Sequence, residues 1–219
     1  MSASALAEET ALGNLSLRNE PVQARSAARL AGLLDAAAAV IDELGYERLT
    51  TAMVAERAGA SIGTVYRYFP DRIAVLQALG ARNLDRVLSK VTEEVTDARH
   101  ENWIDAVNAA FSVLEDAFRS EPGFRSLRVG DVIDLRPAPN EKTYNSVVGD
   151  SILAGLVTRF ELADDDESRF VLEAAVELSD GLAARAFSRT AEGDSRFLDL
   201  ARTSVESLLS ARFGDPRSK

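Results

Sequence analysis

Cysteine is absent from the chain, and histidine occurs once, at His100. Without thiols there can be no disulfide and no thiolate metal site. A single histidine also argues against a histidine-rich metal centre and against a histidine-based catalytic triad. We therefore expect neither a metal ion nor another cofactor, and we interpret His100 as a solvated loop residue.

Proline and long apolar runs are scarce as well. The chain of 219 residues has 6 prolines and is rich in alanine and leucine, a composition that favours helices. Its longest apolar run, residues 36–41, is far shorter than the roughly 20 residues that span a bilayer. The N-terminus carries Glu8 and Glu9 in place of the basic start and apolar run of a signal peptide. We expect a globular all-α protein of the cytoplasm that makes no contact with membranes.

Positive charge is in short supply too. The net charge of −10 argues at first against binding to nucleic acid, whose phosphates are negative. The charge is unevenly distributed, however: residues 21–80 hold six arginines and six acids, whereas residues 1–20 sum to −2 and residues 81–219 to −8. The acidity therefore lies mostly outside the segment that the motifs below assign to DNA.

The apolar period of a helix begins at residue 22 and ends near Leu44, followed by Gly45 as a left-handed cap. Its apolar face consists of Leu30, Leu33, Leu34, Ala37, Ala38 and Ile41. Thr50 or Thr51 can cap a short helix that runs to about Ala58. Ser61 can then cap a second short helix, residues 62–68, and Asp71 a long one after Pro70.

The rest of the chain is also helical in pattern. We expect helices over about residues 102–119, 141–162, 167–190 and 194–213, a short apolar piece at 124–132 and a proline-rich loop at 136–139. The acidic run 164–167 suits the positive end of a helix better than a metal site. We therefore divide the chain into a flexible tail (1–21), an N-terminal domain (22–70), a helical C-terminal domain (71–213) and a short tail (214–219).

Two short helices joined by a tight turn at residues 59–61, with a longer helix before them, form a helix-turn-helix. The second helix of such a unit must be thin at its start to reach base edges in the major groove. Gly63 provides that thin start. Thr64, Tyr66, Arg67 and Tyr68 offer hydroxyls and a guanidinium that can bind phosphates or bases.

The stretch LLDAAAAVIDELGYERLTTAMVAERAGASIGTVYRYFPDRIAVLQAL, and above all its core AERAGASIGTVYRYFPD, resembles the DNA-binding domain of the tetracycline-repressor (TetR) family. The resemblance covers about a quarter of the chain; the remainder is similar to the family in its helical pattern and length. It implies an all-α fold of about nine helices. A three-helix helix-turn-helix domain would be followed by a helical ligand-binding and dimerisation domain.

The resemblance also implies roles for single residues. Thr50 or Thr51 would bind phosphate, Ser61, Gly63 and Thr64 would form the entry of the recognition helix, and Tyr66 and Arg67 would read bases. Tyr68 and Arg72 would contact the DNA backbone, with further phosphate contacts from Arg25 and Arg29. Ile62 also belongs to this surface, but it stands where lysine is common, so one phosphate contact is missing. Ile41 replaces a usual phenylalanine, which is a tolerated core exchange.

Plainer interpretations remain open at several of these positions. Thr50, Thr51 and Ser61 can act as helix caps alone. Tyr66 and Tyr68 can be core aromatics, although both cannot face the core that Val65 and Phe69 fill. At least one of these tyrosines should therefore be exposed.

In the C-terminal domain, the family resemblance implies a pocket for a partly apolar small molecule. Each candidate lining residue can equally be ordinary core packing; the candidates are Trp103, Phe111, Phe124, Leu127, Arg128, Asp131, Tyr144 and Phe160. It also implies that the last two long helices pair with a second copy, through Phe170, Ala174, Leu178, Gly181, Leu182, Phe197, Ala201, Val205 and Leu208. A two-fold dimer places two recognition helices about 34–36 Å apart and calls for a palindromic operator.

The resulting hypothesis is a ligand-responsive repressor that leaves its operator when a small molecule binds. An enzyme built on helices is a rival, but no phosphate loop or paired-carboxylate motif stands out. A helical module that binds a partner protein through its tyrosines is a second rival. Binding of double-stranded DNA separates the first hypothesis from both.

Overall fold

The computed structural model describes residues 3–129 and 142–218, and the side chains of residues 24–128 and 142–217. Nine α-helices and no strand lie within these ranges. The helices are α1 (Ala3–Leu44), α2 (Thr51–Arg57), α3 (Ile62–Tyr68), α4 (Arg72–Thr96), α5 (Trp103–Ser120), α6 (Phe124–Val129), α7 (Tyr144–Phe160), α8 (Asp166–Phe187) and α9 (Ser195–Phe213). The prediction of an all-α fold is confirmed.

Side-chain caps explain why most of these helices begin where they do. The Thr50 hydroxyl accepts from the Met53 amide at 3.2 Å, and the Ser61 hydroxyl accepts from the Thr64 amide at 3.1 Å. Such bonds satisfy amides that the first turn of a helix leaves without a partner. The same arrangement starts the longer helices at Asp71, Asn102, Thr143, Asp165 and Asp194.

The N-terminal core holds α1 to α3 together. Val54 of α2 and Val65 of α3 are fully buried, and Phe69 is 3 % exposed. They pack with the apolar face of α1, whose buried members include Leu33, Ala37 and Ile41. Because α2 and α3 each bury few side chains of their own, α1 supplies the surface that fixes their relative orientation.

A separate core fills the C-terminal helices α5 to α9. Its largest fully buried members include Phe111, Phe124, Phe187 and Ile152. Phe118 connects them, because its ring stacks on Phe187 at 5.5 Å and meets Phe124 edge-on at 5.2 Å. Aromatic pairs at these separations stabilise a core beyond the area that they bury.

Helix α4 belongs to both cores. Its first half contributes Val75, Leu76 and Leu79 to the N-terminal core, and its second half contributes Val87, Val91 and Val95 to the C-terminal core. Helix α4 is therefore a continuous structural connection between the two cores.

The turn between α5 and α6 forms a second connection between the two cores. The Gly123 amide donates to Asp42 Oδ1 of α1 at 2.9 Å, and Glu121 forms an ion pair with Arg86 of α4. Gly123 has a φ of +75°, and a Cβ there would lie 3.4 Å from Ala38 Cα. The positive φ, rather than a lack of space, is what favours glycine at this position.

Several predicted boundaries differ from the structure. Helix α7 spans Tyr144–Phe160 rather than residues 141–162. Helix α1 begins at Ala3, within the segment predicted as a flexible tail. That segment lacks the apolar face from which helices were predicted, but it has many residues of high helix propensity. Helix α8 ends at Phe187, three residues before the predicted end. The predicted proline-rich loop lies outside the described residues.

Candidate DNA-binding surface and its link to the C-terminal domain

Helix α3 presents one face to the core and the other to solvent. The turn before it contains Gly59 with a φ of +57°, and the Ala60 amide closes this turn on the Ala55 carbonyl at 2.9 Å. Val65 faces the core, whereas Ile62 is 43 % and Tyr66 54 % exposed. Ile62 and Tyr66 therefore lie on the solvent face of α3.

The start of α3 is thin and open. A Cβ on Gly63 would come no closer than 3.9 Å to another protein atom, the Ser61 hydroxyl, so the fold itself does not require glycine at this position. Ser61 and Thr64 join their hydroxyls at 2.9 Å. Gly63 thus lets the backbone of the helix come close to an external surface.

The two tyrosines of α3 have different surroundings. The Thr51 hydroxyl of α2 approaches the exposed Tyr66 hydroxyl at 3.5 Å. Tyr68 is half-buried, and its hydroxyl bonds to Ser26 Oγ of α1 at 3.1 Å. This bond, together with the positive charges of Arg67 and Arg29, lowers the pKa of Tyr68 below its ordinary value. Tyr68 therefore ties the end of α3 to α1, a contact that periodicity in the sequence could not predict.

Three predicted arginines meet at one groove beside this bond. Arg25 and Arg29 of α1 and Arg67 of α3 line a groove of about 820 Å³ together with Tyr68. The Arg67 guanidinium lies 5.2 Å from the Tyr68 ring centre. All three arginines are exposed, so the groove concentrates positive charge in a chain that is acidic as a whole.

Other predicted DNA contacts already have structural roles. Thr50 caps α2, and Arg72 donates from Nη1 to the Glu47 carbonyl at 2.8 Å. These bonds stabilise the segment between α1 and α2 and the approach to α4. Binding of phosphate by Thr50 and Arg72 stays a prediction.

The predicted pocket residues are divided among different places. Phe124 and Tyr144 lie close together, with ring centres 6.4 Å apart, and Phe111 is 2 % exposed in the C-terminal core. Leu127 instead packs in the N-terminal core. Trp103 and Phe160 line a different cleft, of about 300 Å³, with Phe213. Asp131 lies outside the described residues.

A polar cluster interrupts the apolar interior at α6, α7 and α8. Arg128 forms an ion pair with Asp180 and donates from Nη2 to Asn145 Oδ1 at 2.9 Å. Its guanidinium lies 4.2 Å from the Tyr144 ring centre. Burial raises the pKa of Tyr144, whose hydroxyl has no partner among the described residues. Buried polar groups without partners are rare and call for a ligand or a water molecule.

Three polar residues in or beside the interior were not predicted from the sequence, namely Asn83, Asn145 and Asp180. Asn83 is 3 % exposed, and neither side-chain polar atom has a partner in the described part of the chain. Its position, four residues from both Leu79 and Val87 on the apolar face of α4, is the signal that could have identified it.

The residues predicted for a dimer interface are only partly accessible. Phe170 is 65 % and Leu178 37 % exposed, and Gly181 is exposed as well. Ala201 and Val205 are instead buried in the protomer itself, at 4 % and 0 % exposure. An apolar period identifies a buried face but not whether the same chain buries it, so the assignment of these two residues to an interface stays a prediction.

Neither a metal site nor a membrane span is found where the structure describes the chain. No group of three or more metal-ligating side chains comes together in residues 3–129 and 142–218. In the same ranges, no helix has the length and apolar character needed to cross a bilayer.

Two family models match the chain. Residues 33–79 match the N-terminal domain of the bacterial regulatory proteins of the tetR family. Residues 101–213, about half of the chain, match a tetracyclin repressor-like C-terminal domain. The first match contains α2 and α3, and the second contains α5 to α9.

Individual relatives agree with these matches. The transcriptional repressor KstR of Rhodococcus jostii is 27% identical over 174 residues, which are 68% of this chain and 82% of KstR. A TetR-family regulator structure from Streptomyces coelicolor is 31% identical with a TM-score of 0.70, covering 84% of this chain and 99% of that one. SmeT of Stenotrophomonas maltophilia, solved with triclosan, has the same fold at 21% identity, a TM-score of 0.55 and coverage of 86% and 93%.

These relatives are transcription regulators and not enzymes. The helix-turn-helix, the helical C-terminal domain and the family matches agree along the chain. The chain therefore belongs to the TetR family of bacterial transcription regulators.

Proposed function

We propose that this regulator is a dimeric repressor that releases a palindromic operator when a small molecule binds its C-terminal domain. The observation that carries the proposal is the exposed start of α3, where Ile62, Gly63 and Tyr66 face away from the core. A helix with this thin, open start fits the major groove, and its N-terminal residues then reach base edges.

The arginine groove supports the same placement. With α3 in the major groove, Arg25 and Arg29 of the groove would neutralise phosphates beside it. Phosphate contacts of this kind fix the register of a protein on DNA, while contacts to base edges carry the specificity. We therefore assign base reading to Tyr66 and Arg67 and backbone contacts to Arg25, Arg29 and Tyr68.

Dimerisation is supported by the unpartnered face of α8. Phe170 and Leu178 are exposed on this helix. Large apolar side chains exposed on one face often mark an interface. A two-fold partner on this face presents a second α3, and two recognition helices about 34–36 Å apart match successive major grooves.

The ligand response is supported by the two connections between the cores. A molecule bound near Tyr144 and Arg128 would touch α7 and α6, and α7 packs on α4. From there, α4 and the α5–α6 turn lead to α1. The ligand shifts the spacing of the α3 helices only as far as it binds one arrangement better than the other. The unpaired polar atoms among aromatic rings favour a partly apolar effector with hydrogen-bonding groups.

Selection of binding sites from a random duplex pool tests the DNA-binding part. Wild type should enrich palindromic sites, and a Tyr66→Ala/Arg67→Ala variant should lose this enrichment while keeping its circular dichroism spectrum. Lys90→Ala, at an exposed position of α4, serves as the control and should select the same sites. If the tyrosine–arginine variant selects the same sites as wild type, α3 is not the reader and the tyrosines serve another partner.

The selected operator then tests the ligand response. A panel of partly apolar molecules, triclosan among them, is screened for compounds that raise the melting temperature of the protein. A compound that acts as the effector should also lower operator affinity, because it binds the arrangement that does not fit the operator better than the one that does. A compound that binds the C-terminal domain and leaves operator affinity unchanged contradicts the switch.

A further inference from the structure

Helix α3 carries an apolar side chain at the beginning of its solvent face. Ile62 is the first residue of the helix and is 43 % exposed. Tyr66, which is 54 % exposed, follows four residues later, so the two side chains lie on the same face of the helix. Single apolar side chains are normal on a protein surface, but this one lies on the face that we propose enters the major groove.

The stability of the protomer gives no reason for isoleucine at this position. Among the described side chains, Ile62 belongs neither to the N-terminal core nor to the partly buried side chains that pack against it. Val65, which is fully buried, holds α3 to that core instead. A β-branched side chain also lowers helix propensity relative to alanine. The side chain of Ile62 is therefore of use to a partner outside the protomer.

The polar side chains beside Ile62 are already engaged within the protein. The Ser61 hydroxyl accepts from the Thr64 amide at 3.1 Å and bonds to the Thr64 hydroxyl at 2.9 Å. Gly63 has no side chain, and a Cβ there would come no closer than 3.9 Å to another protein atom. This part of the helix can therefore approach a surface closely, and Ile62 offers that surface an apolar contact.

The major groove of DNA has one apolar group that suits such a side chain. The edges of the base pairs present hydrogen-bond donors and acceptors there, and isoleucine would cover these groups without replacing their bonds to water. Phosphates need a hydrogen-bond donor or a positive charge, and isoleucine has neither. The exception in unmodified DNA is the 5-methyl group of thymine. Contact between this methyl group and Ile62 removes apolar surface of both partners from water.

We propose that Ile62 is a specificity-determining residue, which reads a thymine in each half-site of the operator through the 5-methyl group of that base. This inference rests on the proposed function and adds a third side chain to the base readers Tyr66 and Arg67. Because the two-fold mate of α3 makes the same contact, the operator contains a symmetric pair of such thymines.

Replacement of thymine by uracil tests the contact, because uracil lacks the 5-methyl group but keeps the same base pairing. In the operator that wild type selects, each symmetric pair of thymines is replaced in turn, and affinity is measured by fluorescence anisotropy. Replacement of one such pair should lower the affinity of wild type about fifteenfold, since the loss of one buried methyl group costs about fourfold in each half-site.

Variants at position 62 identify the side chain that makes the contact. Ile62→Ala should lose most of the preference for thymine over uracil at that pair, because its side chain ends at Cβ. Ile62→Val keeps a branched apolar end and should retain most of the preference. Both substitutions change an exposed side chain, so both variants should keep the circular dichroism spectrum of wild type.

Ile73→Ala is the matched control for these variants. Ile73 is also exposed, at 38 %, but it belongs to α4 and not to the helix that we place in the groove. This variant should prefer thymine over uracil at the same pair by the same factor as wild type.

The outcomes separate this inference from the proposed function. If wild type selects a palindromic operator but no exchange of thymine for uracil lowers its affinity, the inference is overturned while the proposed function stands. If one exchange lowers the affinities of wild type and Ile62→Ala by the same factor, another side chain reads that thymine and the inference is overturned as well. If wild type selects no duplex at all, the proposed function fails, and the inference fails with it.

Discussion

Tyr68 shows how single residues position the DNA-binding surface. Its hydroxyl joins α3 to Ser26 of α1, and its ring lies beside the Arg67 guanidinium. The recognition helix is therefore fixed at its end by a polar contact and at its middle by Val65 in the core. A side chain held in this way loses less conformational freedom when it binds than a free one.

The salt dependence of operator binding should report the arginine groove. Each phosphate contact that is removed lowers the slope of log affinity against log salt by about 1. An Arg25→Ala/Arg29→Ala variant should therefore reduce the slope by about 4 for a dimer, while its sequence preference stays that of wild type. Fluorescence anisotropy from 50 to 300 mM salt measures the slope. Lys90→Ala should match wild type, and an unchanged slope in the double variant would remove α1 from the interface.

The cap of α9 should make stability depend on pH. Hydrogen bonds from Arg196 lower the pKa of Asp194 from 3.8 to about 2. Folding therefore favours the charged carboxylate, and its stabilisation is complete above about pH 4 and is lost as the pH falls toward 2. Asp194→Asn keeps a capping side chain but loses the charge. The difference in melting temperature between wild type and this variant should shrink from pH 5 to pH 2.5.

Arg196→Ala provides the matched control for this effect. Because Arg196 is the main cause of the lowered pKa of Asp194, its removal should flatten the same pH dependence. If the difference between Asp194→Asn and wild type stays constant with pH, the carboxylate at this cap is not stabilised by Arg196.

At the scale of elements, α4 is the part that joins DNA binding to the C-terminal domain. It reaches both cores, and α7 packs closely against its second half. Gly155 of α7 faces Val95 of α4, and a Cβ on Gly155 would lie 3.1 Å from the Val95 Cβ. The absence of a side chain at Gly155 thus sets the distance between α4 and the rest of the C-terminal domain.

Glycine-to-alanine exchanges in two helices should therefore act in opposite directions. Gly155→Ala should lower the free energy of unfolding by about 1–3 kcal/mol, because the added methyl overpacks a stiff β-branched neighbour. Gly32→Ala in α1, where a Cβ meets nothing within 4 Å, should raise it by about 0.5–1 kcal/mol through helix propensity. Urea unfolding followed by circular dichroism measures both. Equal effects of the two exchanges would mean that α7 does not contact α4 closely.

The same scale shows how far the sequence determines the fold. Thr50, Ser61 and Asp71 carry the side chains that caps require, so the beginnings of α2, α3 and α4 could be predicted to within a residue. Which other element a buried face packs against could not be predicted in this way. The apolar spacing of Val205 indicates burial but not by which chain, and Leu127 packs in the N-terminal core because the α5–α6 turn sits against α1.

Over the whole molecule, the candidate DNA surface was easier to predict than the interior. The two short helices of this surface and their turn lie within one segment, 50–68, whose local pattern predicts them, although Arg25 and Arg29 come from α1. The interior cluster of Arg128, Asn145 and Asp180 draws on three helices far apart in the chain, and no local period links them. The net charge of −10 likewise gives no sign of the arginine groove, because a sum of charges does not say where they lie in the fold.

Placement of α3 in the major groove of a palindromic operator can be measured directly. Since the chain has no cysteine, Ile62→Cys supplies a unique thiol at an exposed position, 43 % exposed in wild type, for a tethered DNA-cleaving reagent. Lys90→Cys on α4 serves as the control and should give no localised cleavage. We expect two cleavage centres from Ile62→Cys, in successive major grooves about 34–36 Å apart and related by two-fold symmetry. A single centre, scattered cleavage or none on the selected operator would contradict it.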